Sequence, residues 1–326
     1  MDFLYPLKFK PIFKEKIWGG NKLNTILGKD CPHDIKIGES WEISGVRENI
    51  SIVSNGKLAG SNLQELMEAY MGDLVGDRMF EKFGIEFPLL VKFIDANEVL
   101  SIQVHPDDKL ARKRHNAYGK TEMWYIVQAD KDSSIITGFK HEVSKQKYQE
   151  YLREGRLTQI LNIEKAETGE VFFIPAGRVH ATGKGILLAE IQQTSDITYR
   201  IYDWDRKDKN GNSRELHTEL ALDALDFSVS DNYKTLYEKK KNQSITIAEC
   251  DYFQTTILDF NKPVKKDYSL IDSFVIIMCL KGGLSIYYNK NKEHIDIGET
   301  VLIPASLDNI IFDPRGESKI IEVFIP

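Results

Sequence analysis

Cysteine is scarce. Cys31, Cys250 and Cys279 are the three in 326 residues, odd in number, far apart and without a C-x-x-C pair, so neither a disulfide framework nor a thiolate zinc cage is indicated. Long apolar runs are missing too: the longest, Gly185 to Ile191 and Ser273 to Leu280, stop far short of the ~20 residues a membrane-spanning helix needs. Positive charge is not in excess, since 43 Lys and Arg stand against 49 Asp and Glu for a net −6, which argues against a basic face for nucleic acid. At the start, Met1-Asp2-Phe3-Leu4-Tyr5-Pro6 has an acid where a secretory leader carries basic residues, and a proline before any apolar stretch. These absences predict a cytoplasmic protein with reduced thiols and no membrane or nucleic-acid partner.

What is present is the ordinary composition of a globular chain long enough for about two domains and a sizeable core. Most of it reads as short β-strands separated by Gly, Asn, Asp and Lys turns. From Val99 to His105, the apolar Leu100, Ile102 and Val104 alternate with Ser101, Gln103 and His105, which puts Gln103 and His105 on one face of a strand. Helical periodicity appears from Ser61 to Tyr70, with Ser61 as the expected cap, from Ser144 to Glu154, and around Leu216 to Leu225. Residues 231–243 are polar and lysine-rich and read as a connector. An internal echo is more informative still. The octamer from Gly169 to Ala176 (GEVFFIPA) is matched by that from Gly298 to Ala305 (GETVLIPA), which predicts two copies of one β-fold. We expect a first unit over 1–240 and a second over 241–326. After the echo the first copy continues to His180 and the second to Asn309, so only the first can hold a metal through this position.

Gln103 and His105 share a strand face, Glu122 opens the strand Met123 to Val127, and His180 follows the turn Pro175-Ala176-Gly177. Two imidazoles and a carboxylate on neighbouring strands suit Zn, Fe, Mn and Ni alike. A strand histidine taken singly is more often a hydrogen-bonded core residue; the joint pattern points to a metal. His33, His115, His141, His217 and His294 have no partner at ligand spacing and are not assigned to metal.

The pattern Gly169-x5-Pro175-x-Gly177-x2-His180 resembles the second signature of the cupin superfamily. The resemblance implies a mainly β fold of two cupin-type (jelly-roll) β-barrels with short helical inserts. The first signature usually reads His-x-His with Glu close behind, whereas this chain has Gln103-Val104-His105 and a distant Glu122. That departure is similar to the type I mannose-6-phosphate isomerases, as are the run from Pro88 to Asp108, Gly119-Lys120-Thr121-Glu122, Trp18-Gly19-Gly20, the stretch from Gly38 to Glu42 and the run from Gln192 to Arg206. The last is typical of the short bacterial form. What the resemblance implies is one Zn2+ per chain, held by Gln103, His105, Glu122 and His180, and the interconversion of mannose 6-phosphate and fructose 6-phosphate through a cis-enediol. It also implies a small sugar phosphate as the partner.

Arg200 matches the family's active-site arginine, and a guanidinium that stays charged suits developing negative charge or phosphate; its plain alternative is a salt bridge with Asp203. Lys120 is the second catalytic candidate, for proton transfer or phosphate binding, against a solvated turn lysine. The base stays open among Glu39, Glu42, Lys120 and a metal-bound water. Lys109, Arg112, Lys113 and Arg114 follow the metal strand and read either as a basic mouth or as a solvated helix face. Trp18, Trp41 and Trp124 read as barrel packing, with Trp18 also placed to line the cleft. Two rival readings are a sugar- and metal-binding bicupin without chemistry and a non-haem iron oxygenase.

Overall fold

The computed structural model describes residues 4–32, 34–208 and 210–326; residues 1–3 of the segment read for a leader, and His33, lie outside them. The chain folds into two β-barrels, each made of two facing sheets. In the first, a seven-stranded sheet runs in the order 234–235, 171–174, 122–129, 186–193, 89–96, 37–44, 12–20, and its partner runs 199–202, 102–104, 180–182, 134–139, 161–165. Inside, Ile94, Trp124, Ile126, Phe172 and Leu188 meet Ile135 from the opposite sheet. The second barrel pairs a six-stranded sheet (7–8, 300–303, 275–281, 318–324, 254–260, 244–249) with a four-stranded one (264–267, 309–314, 283–288, 291–296). Leu7 and Lys8 pair with Leu302 and Val301, so the first strand of the chain lies in the last sheet.

Alternation along the strands explains how the barrels meet. Leu89, Val91, Phe93, Met123, Tyr125 and Ile191 point away from the first lumen and pack with Ile257, Ile276, Met278, Ile321 and Val323 of the second barrel. The large sheets therefore stand back to back, each buried on both faces. This is why Leu89–Ala96 and Ile186–Gln193 are buried along their whole length and read as largely apolar rather than alternating.

The echo is a repeat of topology. Strand 122–129 bonds to 171–174 and 186–193 just as 275–281 bonds to 300–303 and 318–324, and both copies begin with a glycine at positive φ, Gly169 at 87° and Gly298 at 80°. The helix expected at Ser61 starts one residue later. Asn62 accepts from the Glu65 amide while the Glu65 carboxylate accepts from the Asn62 amide, so the cap is Asn62 on the helix Leu63–Val75. Ser144 caps Lys145–Arg153 as expected, and the third helix spans Thr218–Ala224. Part of the connector, Lys234–Thr235, pairs with Phe172 and Val171. Among the described residues no helix is long and apolar enough to cross a membrane.

Candidate functional site

His180 lies directly across the ladder from Gln103, and both project into the first lumen, where Glu122 begins the facing strand. His105 Nε2 is 3.6 Å from one Glu122 oxygen and His180 Nε2 is 3.3 Å from the other. The three residues are fully buried, with ligand atoms within 4.8 Å of one another, and form the single such cluster among the described residues. The tautomers follow from the surroundings. His105 Nδ1 lies 2.9 Å from the Ile197 carbonyl and His180 Nδ1 2.8 Å from the Arg178 carbonyl; a carbonyl only accepts, so each Nδ1 carries the proton and each Nε2 presents its lone pair to the cluster. His105 Nε2 and both Glu122 oxygens are buried without a hydrogen-bond partner. Unpaired buried acceptors cost roughly 1–3 kcal/mol each, and three aimed at one point fit a cation. Burial holds His105 well below its usual 6.5 and His180 at about 4, and burial together with Glu190 raises Glu122 to about 8. Neutral imidazole is the ligating form. Gln103 donates its amide to His180 Nε2 at 3.3 Å; a half-turn of that amide presents Oε1 at the same place.

The cluster lies beside a cavity of about 360 Å³ whose wall carries Lys14, Lys16, Lys92, Lys120, Arg200 and Arg214 against Glu39, Glu190 and Asp196. Six cations to three carboxylates make the pocket positive in a negatively charged protein, which favours an anionic ligand. Lys92 Nζ is 2.7 Å from Glu190, and Glu190 also accepts from Trp124 Nε1 at 2.7 Å. Glu39 accepts from Trp41 Nε1 at 2.7 Å and pairs with Lys16 at 3.0 Å. Burial pushes Glu39 up, but Lys92 and Lys16 outweigh it and hold the carboxyl at about 2. Burial likewise acts against Glu190, and Lys92 and Lys120 overcome it to keep the group low.

Lys120 is buried with Nζ 3.4 Å from Glu122, so it is no solvated turn lysine. Arg200 lines the cavity from the strand Tyr199–Tyr202; its Nη1 donates to the Glu215 carbonyl at 2.9 Å, and its Nε is buried and unpartnered among the described residues. Asp203, its expected salt-bridge partner, is instead taken by Arg206 and Arg214. Glu42 points to the other face of its strand, where it pairs with Lys29 at 2.7 Å, away from the cluster. The basic segment is also placed elsewhere: Arg114 bonds Asp223, and Lys109 and Lys113 border a separate surface depression. The cavity draws its charge from other strands. Trp18, Trp41 and Trp124 all line it. His115 bonds the Tyr199 hydroxyl, His217 accepts from the Arg200 amide, His294 bonds Ser285 and His141 is exposed. Sequence reasoning passed over Lys92 and Glu190. Their signal was a charged residue inside a largely apolar buried strand, a place where charges are rare unless paired.

The family model of the phosphomannose isomerase type I catalytic domain matches residues 6–142. The chain is 40% identical to mannose-6-phosphate isomerase ManA of Bacillus subtilis (strain 168), over 96% of this chain and 97% of that one. It is 34% identical to the mannose-6-phosphate isomerase of Streptococcus mutans, over 97% of each. Among solved structures it is similar to the mannose 6-phosphate isomerase from Bacillus subtilis, with a TM-score of 0.88 and 33% identity over 98% of this chain and 99% of that one.

Proposed function

The chain belongs to the type I phosphomannose isomerases, and we propose that it interconverts mannose 6-phosphate and fructose 6-phosphate around one zinc ion held by Gln103, His105, Glu122 and His180. The observation that carries this reading is the convergence of three buried acceptor atoms without hydrogen bonds, one of them also 3.4 Å from the Lys120 ammonium, on one point beside a cationic cavity. With four side chains as ligands, a substrate oxygen would enter as a fifth, an expansion that catalytic zinc can make.

Aldose and ketose are isomers that differ only in where one carbon-bound and one oxygen-bound hydrogen sit. A base takes the C2 proton, a cis-enediol forms, the proton returns at C1, and the two substrate oxygens exchange theirs. Negative charge grows on those oxygens along the way. Bound zinc supplies fixed positive charge beside them. Arg200, with an unpartnered Nε on the cavity wall, stabilises the same charge or the phosphate without losing its own proton. Lys120 stands next to Glu122 and serves proton transfer or phosphate binding. Lys92 keeps Glu39 and Glu190 ionised, so both present acceptors to the sugar hydroxyls. Of the two carboxylates first considered for the base, Glu39 faces this cavity and Glu42 does not. The free, widely separated thiols suit a cytoplasmic enzyme.

A coupled assay with mannose 6-phosphate before and after exhaustive chelation tests the proposal. Turnover should vanish with the metal and return with added zinc. Undiminished turnover in metal-free protein, or bound iron with oxygen consumption, would contradict it.

A further inference from the structure

The second barrel reaches the first barrel's site through one hydroxyl. Tyr252 sits in the turn 250–253 that joins two strands of the six-stranded sheet, with Glu249 paired to Gln254 at its base. Its neighbour Phe253 is fully buried in the core between the barrels, which fixes the turn. From there the Tyr252 hydroxyl donates to Asp108 Oδ2 at 2.9 Å.

Asp108 spends its other oxygen on the segment that carries Lys120 and Glu122. Its Oδ1 accepts from the Gly119 amide at 2.8 Å and from Gln193 Nε2 at 3.0 Å, and Gln193 Oε1 in turn accepts from the Thr121 amide at 2.8 Å. The amides on both sides of Lys120 are thus held by two side chains that are themselves bonded to each other. The Lys120 amide is bonded to the Pro106 carbonyl at 3.1 Å. The segment also lies hard against the helix Asp108–His115: a Cβ on Gly119 would stand 2.5 Å from the Asp108 nitrogen, so no side chain fits there. A shift of Asp108 therefore moves the peptides that aim Lys120 and Glu122.

We propose that Tyr252 is a positioning residue of the isomerase, through which the second barrel braces the turn 119–121. The inference rests on the roles given above to Lys120 and Glu122, and it assigns a task to a barrel that has no metal set of its own.

Tyr252→Phe removes only the hydroxyl. Hydrogen exchange of the intact enzyme should show the Gly119 and Thr121 amides exchanging faster while strands 275–281 and 318–324 keep their protection. At saturating zinc, kcat should fall about tenfold, the scale seen when an outer hydrogen-bond partner of a metal site is lost, with KM within about twofold. In a Lys120→Ala background the same substitution should have a smaller further effect on kcat, because one of the two residues being aimed is gone. Unchanged exchange at 119–121, an unchanged kcat, or a loss that tracks unfolding of the second barrel would each overturn the brace. Full activity in Lys120→Ala alone would instead defeat the reading of Lys120, and the exchange result would still decide whether Tyr252 holds the turn.

Discussion

A charge inside a β-barrel is tolerated when its counter-charges come with it, and Lys92 is the clearest case. It is buried between Glu190 and Glu39, so Lys92→Met should leave Glu190 without its ion-pair partner and Glu39 with Lys16 alone, and cost about 3–5 kcal/mol in urea unfolding; a cost below 1 kcal/mol would show that the pair is not structurally needed. Glu39 gives a pH test. Its carboxyl titrates at about 2 in the folded protein against an ordinary 4.5, so the stability it contributes is complete above the ordinary value and lost as pH falls towards 2. The stability gap between the wild type and Glu39→Gln should therefore narrow by about 3 kcal/mol over that window, and a gap that widens on acidification would be the wrong sign. Arg200→Ala should retain metal and slow turnover ~10²–10³-fold, as loss of one charge-stabilising group does; unchanged kinetics would remove Arg200 from the chemistry. Gln103 and His105 were legible through alternation and His180 through the turn before it, whereas Glu122, on the facing sheet, was legible only through the family resemblance. Lys92 and Glu190 were not legible, because a strand buried on both faces hides which face any one residue takes.

At the level of elements, local chemistry leaves near-degenerate choices that packing resolves. Ser61 with Gln64 and Asn62 with Glu65 both match the capping-box spacing. The register with Asn62 as cap buries Leu63, Leu66 and Met67, and it is the one adopted. Asn62→Ala should cost about 1 kcal/mol in urea unfolding and Ser61→Ala only a few tenths, whereas equal or reversed costs would refute the assignment. The cavity's positive charge was misplaced for a related reason. Lys109, Arg112, Lys113 and Arg114 are clustered in sequence and draw the eye, yet the six cations that line the pocket come from five separate segments, with only Lys14 and Lys16 sharing a strand.

For the molecule as a whole, the duplicated octamer announced two barrels, and the registers show how far they have diverged. Glu122 pairs with Ile174, and the residue pairing with the equivalent Ile303 is Val275; where the first copy has His180, the second has the exposed Asn309. The glutamate equivalent to Glu190, Glu322, also pairs with a lysine, Lys266 at 2.7 Å, but Lys266 is half-buried and comes from the opposite sheet, and Thr256 stands across from Glu322 where Lys92 stands across from Glu190. The pair alone therefore makes no metal site. How the barrels stand back to back, and that Tyr252 reaches Asp108, were beyond sequence reasoning because contacts 144 residues apart leave no local pattern. If zinc binds only the folded chain, its removal should lower stability; zinc at a hundredfold excess over its Kd contributes about 2.7 kcal/mol, readable as a fall in Tm on chelation. The central claim concerns one ion in one barrel. Elemental analysis of purified protein tests it most directly: the wild type should carry one zinc per chain and His180→Ala essentially none, whereas full zinc in that variant, or two ions in the wild type, would contradict the assignment.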